Sequence, residues 1–315
     1  MKIIVSLFYF FSISVYAWDL GPVGQFQFDN INNNVYVMHG PLDEPNKKNI
    51  GFMNNPGIVV AKNGIILIDP GGTYQVGKQV LKEIEKVSKK PIIAVLNTHI
   101  HGDHWLANQA VKEKYPDIKM YAHPKMIKQA NGEEAIIWLA SMKRMTEGLS
   151  SDTKIVPPFI ALNNQDKISI DGEHFIIHSV TKSHTNTDIM IEHKNSKTLF
   201  LGDNGFSHRM GRFDDSSDIS GNINALQLAQ SLKMTFYVPG HGKTGSFNSA
   251  VKPFLTYLVQ LKKSVLQGYE EGLEDFEIKE KIAVNFTAYK KWHGFDTNFG
   301  KHINKLYLEA EAAEF

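Results

Sequence analysis

The chain has 315 residues, 42% of them hydrophobic and 21% charged, a balance that supports a large apolar core and excludes a disordered or fibrous chain. A formal net charge of +1 gives no field to gather nucleic acid or an anionic membrane, so neither is expected as a partner. The absence of cysteine excludes disulfides, a cysteine nucleophile, thiolate metal sites and a lipoprotein anchor.

At the N-terminus, Lys2, the apolar run Ile3 to Val15 and the small residues of Val15-Tyr16-Ala17 read as a secretory signal peptide, with cleavage after Ala17. The run is too short for a hydrocarbon core of ~30 Å at ~1.5 Å per residue, so cleavage is expected rather than anchoring. The mature protein is therefore expected in a periplasm or outside the cell, with no membrane span. Val35 to Met38 reads as a strand, and the Pro-, Asn- and Lys-rich residues 41–56 as a loop. Ile58 to Ala61 and Ile65 to Ile68, joined across Lys62-Asn63-Gly64, predict a hairpin, because Asn-Gly favours the tight turn between apolar runs. Val76, Val80, Leu81, Ile84 and Val87 recur at helical spacing, and Pro91 stops that helix before the strand Ile92 to Asn97. This strand–helix–strand order predicts a layered α/β fold. Residues 125–150 read as helical, Pro157-Pro158 as a break, and residues 167–201 as strands turning at Asp171-Gly172 and Lys194-Asn195. Phe236 to Val238 is one more strand. After Phe247 the pattern is helical, with Leu255, Leu258, Val259 and Leu266 expected on one face.

The predicted strand Ile92 to Asn97 runs directly into Thr98-His99-Ile100-His101-Gly102-Asp103-His104. Three of the chain's 13 histidines and a carboxylate fall within these residues. Imidazole nitrogen and carboxylate oxygen are ligands that zinc and iron both accept. Alternate side chains of an extended segment point the same way, so His99 and His101 can grip one ion, while Asp103 and His104 face a second beyond the Gly102 bend. Ligands at a strand end also suit the usual place for sites in α/β sheets.

The motif resembles the signature of the metallo-β-lactamase superfamily. Further positions of that pattern are met by His184 in Ser183-His184-Thr185, Asp203 in Leu201-Gly202-Asp203-Asn204, and His241 in Pro239-Gly240-His241-Gly242. Asp69, in Leu67-Ile68-Asp69-Pro70-Gly71, matches the acid that follows the superfamily's first hairpin. The resemblance runs from about residue 31 to 245 and implies an αββα sandwich over residues 18–245, with residues 246–315 as a helical extension packed on it. It implies that His99, His101 and His184 hold one divalent metal ion and Asp103, His104 and His241 a second. Asp203 and a hydroxide would bridge them, with zinc expected and iron the alternative. Asp103 would orient the attacking hydroxide, and Asp69 and Thr98 would brace the ligands from behind.

The superfamily holds many activities. Asp203 stands where class B β-lactamases carry cysteine or serine, and a bridging aspartate resembles glyoxalase II-like thioesterases, lactonases and alkylsulfatases instead. Gly202-Asp203-Asn204-Gly205-Phe206, followed by Gly211-Arg212-Phe213, resembles the glyoxalase-like stretch. With its exported N-terminus and a helical tail bearing Asn285 and Tyr289, the whole chain resembles the periplasmic metallohydrolases called quinoprotein relay system proteins. The resulting expectation is a dinuclear hydrolase that opens an ester, lactone, thioester or amide-type bond of a small molecule. A class B-like β-lactamase and a mononuclear iron persulfide dioxygenase are the alternatives. His39 and His123 are expected in exposed turns, and His174, His178 and His193 on exposed strand faces. His208 and Arg209 are candidates to meet a substrate anion, Trp105 and Trp138 are candidates for core or cleft wall, and residues 41–56 and 205–222 are the candidate specificity loops.

Overall fold

The run Thr198–Phe206 is buried at every position, and so is Ile65–Ile68, which requires strands covered on both faces. The computed structural model describes residue 21 and residues 23–314; the expected signal segment, residues 1–17, lies outside the described residues. Seven strands pair in chain order in a first sheet: β1 (Phe28–Asn32), β2 (Val35–Met38), β3 (Gly57–Val60), β4 (Ile65–Ile68), β5 (Ile92–Leu96), β6 (Lys119–Ala122) and β7 (Ile160–Ala161). They are antiparallel from β1 to β4 and parallel from β4 to β7. The second sheet holds β8 (Lys167–Ile170), β9 (Glu173–His178), β10 (Met190–His193), β11 (Thr198–Phe206) and β12 (Phe236–His241) in the order β12-β11-β10-β9-β8. Only its β11–β12 pair is parallel.

The sheets face each other through an apolar layer that includes Val37, Val59, Ile66, Leu96, Ile191 and Phe200. Helix α1 (Tyr74–Val87) covers the outer face of the first sheet with Val76, Val80, Leu81 and Ile84. It starts where the Thr73 side chain accepts a hydrogen bond from the Val76 N–H. The one-turn α2 (Gly102–Trp105) follows β5, and α3 (Asn108–Lys114) packs beside α1. The segment expected to be helical at 125–150 is two helices, α4 (Pro124–Ala130) and α5 (Glu133–Met145), broken at Asn131-Gly132. Helix α6 (Ile219–Ser231) covers the second sheet together with α7 (Lys252–Glu270), α8 (Asp275–Ile282) and α9 (Phe295–Ala312) in one shared core. The layering is α/β/β/α, as the sequence implies.

Three expectations need correction. Val259 does not share the buried face of α7: it is 44% exposed, and that face is Phe254, Leu255, Leu258, Leu261 and Val265. His178 and His193 are buried rather than on solvent faces. Each is sheltered by a carboxylate from a neighbouring strand, His178 Nε2 to Glu192 at 2.7 Å and His193 Nε2 to Glu173 at 2.7 Å. A polar-apolar alternation reads as an exposed face only when the polar partner is not supplied across the sheet.

The C-terminal helices grip the loop after β11 through one buried histidine. His302 of α9 donates from Nε2 to the Gly211 carbonyl at 2.7 Å, so its Nδ1 accepts from the Tyr257 hydroxyl at 2.9 Å. Burial pushes the pKa of His302 down from 6.5 to about 4. Between those values the unfolded chain binds a proton that the folded chain does not, so stability must fall as pH drops from 6.5 towards 4. The full contribution is about 3 kcal/mol. Urea unfolding of His302→Gln across this window should show a flatter pH dependence than the wild-type protein; an unchanged slope would contradict the assignment.

Candidate metal centre

The site lies where strands of both sheets end. Asp69 follows β4, the segment Thr98 to His104 follows β5, Asp203 sits within β11, and His241 closes β12. His184 is carried by the β9–β10 connection. Two glycines allow the close fit. Gly202 adopts φ +53°, which tilts β11 out of register with β12 just before Asp203. A Cβ at Gly240 would stand 1.9 Å from Asp203 Oδ1, so only glycine lets that carboxylate lie against β12.

All seven side chains proposed as ligands converge. Ligand atoms of His99, His101, His184 and Asp203 lie within 4.8 Å of one another, and so do those of Asp103, His104 and His241. Asp203 touches both groups: its Oδ2 is 3.4 Å from His184 Nε2 and 3.2 Å from His241 Nε2, and its Oδ1 is 3.1 Å from His104 Nε2. His101 Nδ1 and His184 Nε2 are 3.0 Å apart, and the Nε2 atoms of His104 and His241 are 3.4 Å apart.

The outer atoms decide what the inner ones are. His104 Nδ1 faces the Asp69 carboxylate at 2.8 Å and His241 Nδ1 faces the Met53 carbonyl at 2.9 Å. Both partners only accept, so each Nδ1 carries the hydrogen and each Nε2 presents a lone pair inward when the ring is neutral. The buried Nε2 of His99 and Oδ1 of Asp203 have no hydrogen-bond partner among the described residues. So many imidazole nitrogens and carboxylate oxygens gathered in one buried volume fit a cation, and the imidazole-carboxylate donor set fits a divalent transition metal.

The electrostatics follow the same division. Burial pushes His99 well below the usual imidazole range and His184 down to about 3. Burial opposes charge on His104 too, but the carboxylates of Asp203, Asp103 and Asp69 outweigh it and raise its pKa well above the ordinary value. His241 is raised by Asp203 and Asp103 against the same penalty. Those imidazoles hold Asp103 and Asp203 well below the carboxylate range despite their burial. An entering ion would displace the protons that His104 and His241 favour.

Asp69 braces three groups at once. Its Oδ1 accepts from the Thr98 N–H at 2.9 Å, and its Oδ2 accepts from the Thr98 hydroxyl at 2.7 Å and from His104 at 2.8 Å. It does so at φ +51°, a strained conformation for a residue with a side chain. Three braces, Asp188, Asp214 and Ser217, are not legible in the sequence as such. Asp188 accepts from the Ser183 hydroxyl at 2.7 Å and from the Thr185 N–H at 2.5 Å, which fixes the loop around His184. Asp214 Oδ2 lies 3.5 Å from His101 Nε2, and the Ser217 hydroxyl donates to the His184 carbonyl at 2.7 Å. The crowded Ser183-His184-Thr185-Asn186-Thr187-Asp188 run, dense in side chains that cap turns, was the available signal for the first.

A cleft opens over the ligands. Trp138 and Met145 of α5 and Phe206 form an apolar wall; Trp138 leans on the His101 ring with centroids 4.6 Å apart. Glu44, Arg209 and Arg212 line a charged one. Trp105 is instead fully buried, its indole N–H donating to the Ile100 carbonyl at 2.7 Å. Of the two candidate anion contacts, Arg209 lines this cleft, whereas His208 lines a separate cavity with His39 and Lys243.

The sequence model described as the Metallo-beta-lactamase superfamily matches residues 50–241. A probable metallo-hydrolase of Methanocaldococcus jannaschii is 30% identical over 207 residues, 62% of this chain and 90% of that protein. Among solved structures, a metallo-beta-lactamase from Pontibacter korlensis superposes with a TM-score of 0.58 at 18% identity, covering 74% of this chain and 99% of that one. A stereoselective inverting sec-alkylsulfatase from Pseudomonas sp. superposes with a TM-score of 0.67 at 17% identity, covering 90% of this chain and 50% of the other.

Two substitutions separate bracing from folding. Asp69→Asn should weaken metal affinity by about 10- to 100-fold in chelator competition, because it releases the hydrogens of His104 and Thr98 together. His193→Ala removes a fully buried ring that bridges Glu173 and Ser196, so it should lower unfolding stability by about 1–3 kcal/mol with metal content unchanged. Loss of metal from the His193 variant would mean that the second sheet and the centre are coupled in a way the geometry does not require.

Proposed function

Because this chain belongs to the metallo-beta-lactamase superfamily, we propose that it is an exported hydrolase that uses two divalent metal ions, zinc in the first instance, to open an ester, lactone, thioester or amide-type bond of a small molecule. The observation that carries the reading is the inward-facing set of seven ligand side chains in two groups sharing Asp203. His99, His101 and His184 would hold one ion and Asp103, His104 and His241 the other. Bound there, such ions would lower the pKa of water to near 7 and supply a Lewis acid to the scissile group.

The chain's own residues do the rest. Asp103 directs Oδ2 at His104 and His241, both at 3.3 Å, and no hydrogen bond among the described residues engages its Oδ1, which can therefore take a proton from the attacking water. Asp69 and the Met53 carbonyl keep the Nδ1 hydrogens of His104 and His241 in place, so neither ring turns during the reaction. Trp138 and Phe206 exclude water from the apolar side of the cleft.

The complete second group, Asp103, His104 and His241, favours two ions over the single iron of a persulfide dioxygenase. A sulfate ester belongs in the substrate panel because of the alkylsulfatase neighbour, and a chromogenic cephalosporin because of the β-lactamase neighbour. Export rests on the N-terminal pattern ending at Val15-Tyr16-Ala17; N-terminal sequencing of secreted material beginning at Trp18 is the expected result.

Plasma mass spectrometry of the purified protein should find two zinc ions per chain, and the panel should show turnover. Asp203→Ala should lose at least one ion and at least about 10³-fold in kcat/KM. One iron per chain, oxygen uptake with persulfides and no hydrolysis would replace this reading with the dioxygenase.

A further inference from the structure

Four of the five ligand imidazoles are steadied at the outer nitrogen by a polar partner. Asp69 meets His104, the Met53 carbonyl meets His241, the Thr98 hydroxyl meets His99 and Asp214 faces His101. His184 is the exception: its Nδ1 is buried and has no hydrogen-bond partner among the described residues. A ligand ring without such a partner keeps its direction through packing alone. Two phenyl rings supply that packing. Phe206 and Phe213 stand edge-on to the His184 ring, with centroids 5.5 Å and 5.9 Å away and interplanar angles of 63° and 64°.

Both phenyl rings are backed by the C-terminal helices. Phe254 of α7 meets Phe206 at 5.2 Å between centroids, and His302 of α9 meets Phe213 at 5.0 Å. His302 supports Phe206 as well. It holds the Gly211 carbonyl, and Gly211 lies so close to Phe206 that a Cβ there would stand 2.3 Å from the ring. One side chain of α9 thus seats both rings that confine His184.

We propose that Phe206, Phe213 and His302 are positioning residues for His184, through which the C-terminal extension sets the affinity for the ion held by His99, His101 and His184. Imidazole binds a metal along its lone pair, so a His184 ring free to turn would spread that lone pair away from the ion. The second ion is shielded from this effect. Phe206 also stacks on His241, at 5.6 Å and 2°, but the Met53 carbonyl fixes that ring independently. The ion rests on the two-metal reading above; the contacts that confine the ring do not.

Zinc-loaded wild-type protein, Phe213→Leu, His302→Ala, the double variant and Ile278→Ala are titrated with a competing chelator to obtain the stepwise dissociation constants. Histidine-ring NMR signals show which group releases its ion at each step. Leucine keeps the position apolar and removes the flat ring. Ile278→Ala thins the same core from α8, which contributes no ring to this chain of contacts. Phe213→Leu and His302→Ala should each weaken the ion of the His184 group by about 3- to 10-fold and the other ion by less than about twofold. The double variant should lose less than the two singles combined, because both act through one chain of contacts. Ile278→Ala should lower the unfolding midpoint and leave both constants unchanged. No weakening in Phe213→Leu, or equal weakening of both ions, overturns the proposal; if His302→Ala does not fold, Phe213→Leu decides alone. A wild-type protein that takes up a single ion sinks the two-metal reading alone, and Phe213→Leu is then judged on that ion against Ile278→Ala. A wild-type protein that takes up none sinks both.

Discussion

Five imidazoles and two carboxylates are crowded into one small buried volume, and the rest of this structure can be understood as what holds them there. The restraint comes from the outer atoms. Asp69, the Met53 carbonyl and the Thr98 hydroxyl meet the far side of His104, His241 and His99 respectively. Each of these partners is delivered by a strand end or by a loop packed on one, so the two-sheet core and the centre share a single geometry. Glycine at 240 and the left-handed turn at Gly202 are the local concessions that let Asp203 stand between the two groups. The strain at Asp69 belongs to the same pattern: an unfavourable backbone angle is retained where one carboxylate braces three groups.

The cleft above the centre is built from segments that carry no motif. Helix α5 buries only Ala135 and Met142 while presenting Trp138, Ser141 and Met145 to the cavity, so its sequence was selected for a wall as much as for a core. The loop after β11 supplies Arg209 and Arg212 to the opposite wall, and His302 of α9 fixes the same loop at Gly211. The C-terminal helices thus reach the site indirectly, by holding the loop that shapes it.

Much of this was readable from residues alone, for physical reasons that can be named. The hairpin of β3 and β4 and the helix α1 announce themselves through an Asn-Gly turn and an apolar stripe, both local signals. The histidine motif is legible because ligand-type residues are scarce and their spacing is short. What was not legible depends on partners distant in sequence. His193 looks solvent-facing until Glu173 is seen across the strand pair, 20 residues away. Asp214 braces His101, which belongs to another segment, and nothing in its own neighbourhood says so, whereas Asp188 lies within the turn-rich run that carries His184. Helix α6, with its weakly patterned Ile219–Ser231 sequence, was not anticipated, because a polar residue, Asn222, also stands on its buried face and blurs the apolar stripe.

The central claim is that the inward lone pairs of seven side chains constitute a two-ion site. Its most direct test is a crystal structure of the zinc-loaded protein with anomalous data recorded on both sides of the zinc absorption edge. The account predicts two anomalous peaks about 3.5–4 Å apart. One should lie among His99, His101 and His184, the other among Asp103, His104 and His241, with Asp203 touching both. A single peak within the first group, or peaks elsewhere in the molecule, would contradict it.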